Sequence, residues 1–335
     1  MKAINQFGAK DFRLVEVPDP VPGQDQVLVA IRASGICGSD KPTWWWDRPS
    51  QKIEGHEVAG EVVALGPGIK RLRPGDRVAL NNVVGCGACP ACRAGNYVMC
   101  PNWDGSRDVN GGFAELVLAP ERNCLKLDEA IDYETGCLLF DNWGTPFSAL
   151  EKAGVKNGDD VVVSGCGPIG LGAVGLARLR GMFVIAVDLL PSRQQTAVQM
   201  GAEVALAPGA DLPAAVRQHT SGLGAHFVIE CSGRGAAYPL GLAALRHGGT
   251  LVSVGEEAKF ELHPSDVIIR RALRILGSWY SSMAQGRQVQ DLVLQNKINP
   301  KVLVSHRAPL VEFPRLFQQV CEQPETVTKA VIINR

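Results

Sequence analysis

The sequence predicts an α/β protein of two domains, a β-rich irregular barrel joined to a doubly wound parallel sheet. Three observations predict it. Apolar and polar residues alternate through the first third, between Pro- and Gly-rich turns. After about residue 150, short buried apolar runs alternate with helical stretches, the pattern of a parallel sheet. The last apolar run, Ala330-Val331-Ile332-Ile333, follows two helical stretches and is expected to return to the first domain, so that the parallel sheet is an insert. A chain of 335 residues is long enough for this, burying roughly three quarters of its unfolded surface.

Phe12, Leu14 and Val17, then Val27, Leu28, Val29 and Ile31, flank the turn Pro18-Asp19-Pro20-Val21-Pro22-Gly23, which reads as antiparallel strands broken by turns. Further strands are expected at 58–65 and 77–80, and Gly112-Phe113-Ala114-Glu115 opens one more. Residues 159–164 form a buried strand that runs into Gly165-Cys166-Gly167-Pro168-Ile169-Gly170. A helical stretch, 171–180, follows, and then a strand, 183–187. Strands at 202–206, 227–230, 250–254 and 275–277 complete a six-stranded parallel sheet. Helices are expected at 285–294 and 313–322.

Gly-x-Gly-x-x-Gly alone is weak evidence. Here it lies between a strand and a helix, and Asp188 closes the next strand 18 residues after Gly170. That context is the dinucleotide fingerprint. Gly165 allows the turn, Gly167 lets the backbone approach a pyrophosphate, and Gly170 lets helix pack on strand. Pro168 and Ile169 open the helix whose N-terminus receives the phosphates. Asp188 would accept hydrogen bonds from ribose hydroxyls and disfavour a 2′-phosphate, so NAD is expected over NADP. Arg193, five residues on, softens that discrimination.

Cys37-Gly38-Ser39-Asp40 and Gly55-His56-Glu57 place a thiolate and an imidazole with 18 residues between them, the second with a carboxylate beside it. Zinc takes these donors, and a catalytic zinc keeps one position open. A buried Cys and a core His are the plain structural reading of such a pair. Ser39 has a hydroxyl placed to touch whatever sits on the metal. Cys86-x2-Cys89-x2-Cys92-x7-Cys100, with Gly87, Pro90, Gly95 and Pro101 supplying turns, suits a closed four-cysteine zinc. An iron–sulfur cluster is the rival, but the bacterial run needs a three-residue last gap before Cys-Pro.

Lys+Arg and Asp+Glu both number 34, which gives no electrostatic reason to expect nucleic acid or an anionic membrane as partner. The most apolar stretch, 161–177, carries five Gly and a Pro, so no membrane span is expected. Residues 1–7 lack the apolar core of a signal peptide. Ten Cys without an export signal point to a reducing compartment, and the expectation is cytoplasmic.

Taken together, Cys-Gly-Ser-Asp at 37–40, Gly-His-Glu at 55–57, the four-cysteine loop, Gly-Gly-Phe-Ala-Glu at 111–115, the fingerprint and Gly277-Ser278 resemble the zinc-containing medium-chain dehydrogenases of the sorbitol and threonine dehydrogenase type. The resemblance covers essentially the whole chain. It implies a GroES-like catalytic domain (1–148 and 279–335) and a Rossmann NAD-binding domain (149–278). Two zincs per subunit, NAD and a homodimer or homotetramer built through Rossmann edges follow from it. The implied reaction is reversible oxidation of a secondary alcohol, most readily of a polyol, sugar or cyclitol. Zinc brings a bound hydroxyl's pKa down, and an alkoxide is the better hydride donor. A simple alcohol, amino alcohol or aldehyde is the second substrate reading, and a non-catalytic NAD sensor the third. Intact Cys37, Ser39, His56 and Glu57 speak against the sensor.

By the same resemblance, Thr145 packs against nicotinamide, though a helix-start Thr reads equally well, and Val254 and Ser278 join the cofactor set. The third catalytic ligand in relatives lies eight residues before a small residue in the helix entering the nucleotide domain. Counting back from Ala149 gives Asp141, with Cys137 as competitor and a helix N-cap as the plain alternative. Glu57 then lies behind the ligands or becomes the fourth. Two departures stand out. Relatives often carry a proton-relay His where Pro42 stands, which leaves Ser39, ribose hydroxyls and water, or a carboxylate. Trp44-Trp45-Trp46 occupy a loop that borders the substrate cleft in relatives, where aromatics either stack on a sugar ring or pack at an interface.

Overall fold

The computed structural model describes residues 1–50, 52–256 and 259–334, and the chain forms two compact units: Met1–Gly144 with Ser281–Arg335, and Thr145–Tyr280. No helix among the described residues is long and apolar enough to cross a membrane.

The first unit is organised by the strand Gln26–Ile36, rich in β-branched and small residues and buried along most of its length. Register shifts, of the kind bulges make, interrupt its pairing with Glu57–Leu65 between Leu28 and Val29 and between Ile31 and Ala33. It serves three neighbours. Glu57–Leu65 pairs along one edge, while Leu116–Pro120 and Lys329–Ile333 share the other, all antiparallel. Arg77–Leu80 and Cys124–Lys126 extend the sheet beyond Glu57–Leu65. A separate hairpin joins Lys2–Gly8 to Asp11–Glu16. Val27, Val29, Ile31, Val58, Val62 and Val78 fill one core.

A second core of this unit is aromatic. Phe12 stacks on Trp44 at 5.8 Å and meets Phe317 edge-on at 5.0 Å, and Phe113 lies 4.5 Å from Phe313. Trp44 is 3 % exposed and its Nε1 donates to Glu322 Oε1 at 3.1 Å, so this member of the tryptophan run is a core residue. Trp45 and Trp46 are 55 % and 40 % exposed, and the Arg48 guanidinium lies over the Trp46 ring.

The second unit holds an all-parallel six-stranded sheet in the order Val204–Leu206, Phe183–Val187, Asp160–Ser164, Ala225–Glu230, Leu245–Ser253, Arg274–Gly277. The chain order reverses between Asp160–Ser164 and Ala225–Glu230, the point at which doubly wound folds bind their ligands. Helices Pro168–Leu179, Pro191–Gln199, Leu212–His219 and Ala237–Ala244 connect successive strands.

Two of the differences from the sequence reading have a plain cause in the residues. Val304–Ala308 is a strand parallel to Lys329–Ile333, although its sequence, Val-Ser-His-Arg-Ala, carries apolar residues only at its ends. The fifth strand of the parallel sheet begins at Leu245, five residues before the apolar run, and its added residues include His247 and Gly248, both exposed, which the apolar pattern does not mark.

Candidate metal centres and cofactor cradle

Register brings the first cluster together. Gly35 pairs with Glu57, so the end of one strand, at Cys37, lies beside the start of the next, at His56. On the other edge Ala330 pairs with Ile36, which sets Lys329 next to Cys37. Cys37 caps the short 3-10 helix Gly38–Trp45, and its N–H donates to Asp40 Oδ2 at 2.7 Å. The other Asp40 oxygen lies 3.5 Å from His56 Nδ1, leaving Nε2 to face Asp141 Oδ2 at 3.2 Å. Cys37 Sγ is also 3.2 Å from Asp141 Oδ2.

One ligand atom from each of Cys37, His56, Glu57 and Asp141 lies within 4.8 Å of the others. Zinc bonds of about 2.0–2.3 Å to N, O and S in a tetrahedron require donors about 3.3–3.6 Å apart, so the sulfur, nitrogen and Asp141 oxygen fit such an ion. A carboxylate behind the imidazole, here Asp40, is the usual support of a metal-binding His. Cys137 is not part of this group; its Sγ contacts Glu134 O in its own helix, Tyr133–Cys137. Asp141 turns its Oδ2 towards Cys37 and His56, three residues before the helix Gly144–Ala153 begins.

The electrostatics suit a cation. Burial alone would lift the Asp141 carboxyl, yet the His56 hydrogen bond and charge, then Lys329, hold it well below its ordinary range. Burial alone would lower the His56 imidazole, but Asp40 and hydrogen bonds to Asp141, Asp40 and Cys37 push it well above its ordinary value. Burial and the Asp141 charge push the Cys37 thiol up to about 11. Glu57, raised to about 7 chiefly by burial, keeps one oxygen on Lys329, and its Oε2 is buried without a hydrogen-bond partner. Ser39 lies exposed in the first turn after Cys37.

In the second cluster the sulfurs of Cys86, Cys89, Cys92 and Cys100 lie within 4.8 Å of one another. Tetrahedral zinc–thiolate bonds of about 2.3 Å imply sulfur separations near 3.8 Å, and Cys86 Sγ is 4.0 Å from Cys92 Sγ. Cys89 Sγ accepts from Cys92 N across the helix Pro90–Arg93, and Cys100 Sγ accepts from Cys86 N. Backbone donors of Ala88 and Cys89 lower the Cys86 thiol to about 6, whereas burial raises Cys92 to about 12.

The cradle lies in the second unit. Gly165 adopts φ +90°, a left-handed conformation that suits glycine, and a Cβ on Gly170 would collide with Gly165 O. A Cβ on Gly167 would meet nothing within 4 Å, which leaves open space before the helix Pro168–Leu179 that Pro168 and Ile169 begin. Asp188 Oδ2 accepts from Cys166 N at 2.7 Å and Oδ1 from Leu190 N at 2.9 Å, and Arg193 lies 4.0 Å away. Each carboxylate oxygen retains a lone pair for a ribose hydroxyl. Val254 and Ser278 follow the C-terminal ends of the fifth and sixth strands, where N–H groups of 254 and 278 bond Glu230 O and Ser253 O. Thr145 is buried in the first turn of Gly144–Ala153.

Two residues that hold the first cluster escaped the sequence reading. Asp40 was visible as the last member of Cys-Gly-Ser-Asp. Lys329 was visible only as a charge at the head of a wholly apolar run.

Residues 23–129 match the alcohol dehydrogenase GroES-like domain and residues 168–295 the zinc-binding dehydrogenase domain. The chain is 36 % identical to L-threonine 3-dehydrogenase of Symbiobacterium thermophilum, over 92 % of both chains. It is 32 % identical to sorbitol dehydrogenase of Halalkalibacterium halodurans, over 96 % of both. Among solved structures it resembles a candidate zinc-binding dehydrogenase of Sinorhizobium meliloti 1021 bound to NADP, with 30 % identity, a TM-score of 0.87 and 99 % of each chain covered.

Proposed function

The chain belongs to the zinc-type medium-chain dehydrogenases, and on that premise we propose that it oxidises a secondary alcohol of a polyol, sugar or cyclitol reversibly to the ketone, with NAD as hydride acceptor. The observation that carries this reading is the convergence of Cys37, His56 and Asp141 on one point. These residues would hold the catalytic zinc, with Glu57 behind them, and Cys86, Cys89, Cys92 and Cys100 a structural one. Zinc supplies a Lewis acid that makes a hydroxyl acidic near neutral pH, and NAD supplies the hydride acceptor.

The chain's own contributions are positional. Asp40 fixes the His56 ring so that Nε2 faces the ligand group. Ser39 accepts the substrate's hydroxyl proton and passes it to solvent, a path consistent with its exposure and with Pro42 in the place of a relay imidazole. Gly165, Gly167 and Gly170 shape the turn for the pyrophosphate, and Asp188 takes the ribose. Thr145, Val254, Ser278 and Arg193 complete the cofactor set. The first unit then acts as the catalytic domain and the second as the cofactor domain.

The outer edge of Arg274–Gly277 has no strand partner among the described residues, which supports assembly of two or four subunits through that edge. Ten free thiols, five of them in the two metal groups, fit a cytoplasmic setting. The test is NADH fluorescence across a panel of polyols, sugars, amino alcohols and simple alcohols, run with both cofactors. Turnover of a polyol with higher kcat/KM for NAD is the expected result. A preference for NADP would overturn the Asp188 assignment, and silence across the panel the enzyme reading.

A further inference from the structure

A lysine is sealed inside the first unit beside the metal group. Lys329 is 1 % exposed, and its Nζ donates to Glu57 Oε1 at 2.5 Å and to Ile36 O at 2.9 Å. Burying an ammonium is costly unless fixed partners replace its water, and here Glu57 is the charged one. Glu57 in turn is confined. Lys329 takes one oxygen, and the other, Oε2, has no hydrogen-bond partner. Gly35, opposite Glu57 in register, leaves the space that Oε2 occupies, and a Cβ there would collide with it.

A Glu57 oxygen already lies within 4.8 Å of the donor atoms of Cys37, His56 and Asp141. A carboxylate so close to a divalent cation would be drawn onto it and would fill the position that substrate needs. The charges show why it is not. Thiolate and Asp141 balance a divalent ion, and Glu57 is balanced by Lys329. Without the lysine, Glu57 loses the partner that its Oε1 holds, and a divalent ion on Cys37, His56 and Asp141 becomes the strongest charge it can neutralise.

We propose that Lys329 is a positioning residue that holds Glu57 back from the metal and keeps the fourth coordination position open, with Gly35 providing the room. This rests on the reading that a metal occupies the Cys37, His56 and Asp141 group. The experiment exchanges cobalt(II) into that group of the full chain, leaves zinc on the four cysteines, and titrates imidazole as a probe of the open position by visible absorption. Lys329→Met is expected to shift the cobalt bands, weaken imidazole binding by about 10- to 100-fold and lower kcat/KM by a similar factor. Adding Glu57→Gln to Lys329→Met is expected to restore the parental bands and imidazole affinity, which a merely structural lysine would not allow.

Parental bands and imidazole affinity in Lys329→Met would overturn the proposal. If that variant does not fold, Glu57→Gln alone decides: unchanged imidazole affinity supports a carboxylate held off the metal, and tighter binding shows that Glu57 was a ligand all along. Failure of the parent to take up cobalt beside the four-cysteine zinc removes the metal reading itself, and this inference with it.

Discussion

The four cysteines of one metal group fall within residues 86–100, whereas the other group draws on residues 37, 56, 57 and 141, with Lys329 behind them. The first is a local object: turns within 15 residues bring its sulfurs together, and no strand pairing is needed. The second exists only because Gly35 pairs with Glu57 and Ala330 with Ile36. Its donors also differ in kind. Four thiolates close a tetrahedron, while sulfur, nitrogen and oxygen from three segments leave it open. On the proposed reading, the stabilising site is carried on a loop and the reactive one is held by the sheet.

That contrast can be broken or sharpened by substitution. The largest effect is expected from His56→Ala, which removes a donor from the open group: turnover should fall by about three orders of magnitude or more, with the circular dichroism spectrum and melting temperature little changed. A large loss of thermal stability would mean that this group, too, is structural.

Cys89→Ser should do the reverse. It should cost more than about 4 kcal/mol of stability, as loss of a structural metal does, and leave the per-molecule rate of the folded fraction near parental. Denaturation with and without chelator measures the first, and active-site titration the second.

Asp141→Asn should lose one zinc of two by metal analysis and keep the four-cysteine zinc. Two zincs and normal turnover in this variant would remove Asp141 from the ligand set. The smallest effect belongs to Cys137→Ser, which should keep both metals and cost about 1 kcal/mol, since a hydroxyl can make the hydrogen bond that its thiol donates to Glu134 O.

The same contrast explains what could be read from the sequence. The four-cysteine lobe and the glycine turn were legible because spacing alone defines them. Strands 77–80 and 183–187 were legible to the residue, because a buried strand is a short apolar run with turns at both ends. Val304–Ala308 was not, because three polar residues at its centre break that pattern. In the open metal group, Cys37 and His56 announced themselves by residue type, and Asp141 came by counting from a resemblance. Lys329 could not be found that way, since its neighbourhood is fixed by pairing with a strand about three hundred residues earlier. The sequence left Trp44 open between stacking on a sugar and packing at an interface; its place in the core is set by Phe12 and Phe317, which spacing does not reveal.

The strand Lys329–Ile333 also imposes a timetable on the nascent chain. Residue 100 leaves the ribosome more than two hundred residues before residue 329, roughly 10 to 45 s earlier at about 5–20 residues per second. The four-cysteine lobe can therefore capture its zinc and fold while synthesis continues. The open group must wait, with Glu57 unrestrained and the edge of Gln26–Ile36 unpaired, until the last strand docks. Metal taken up by that group before then would meet a carboxylate with nothing to hold it back, so the order of synthesis favours loading the stabilising site first and the reactive one only in the finished fold.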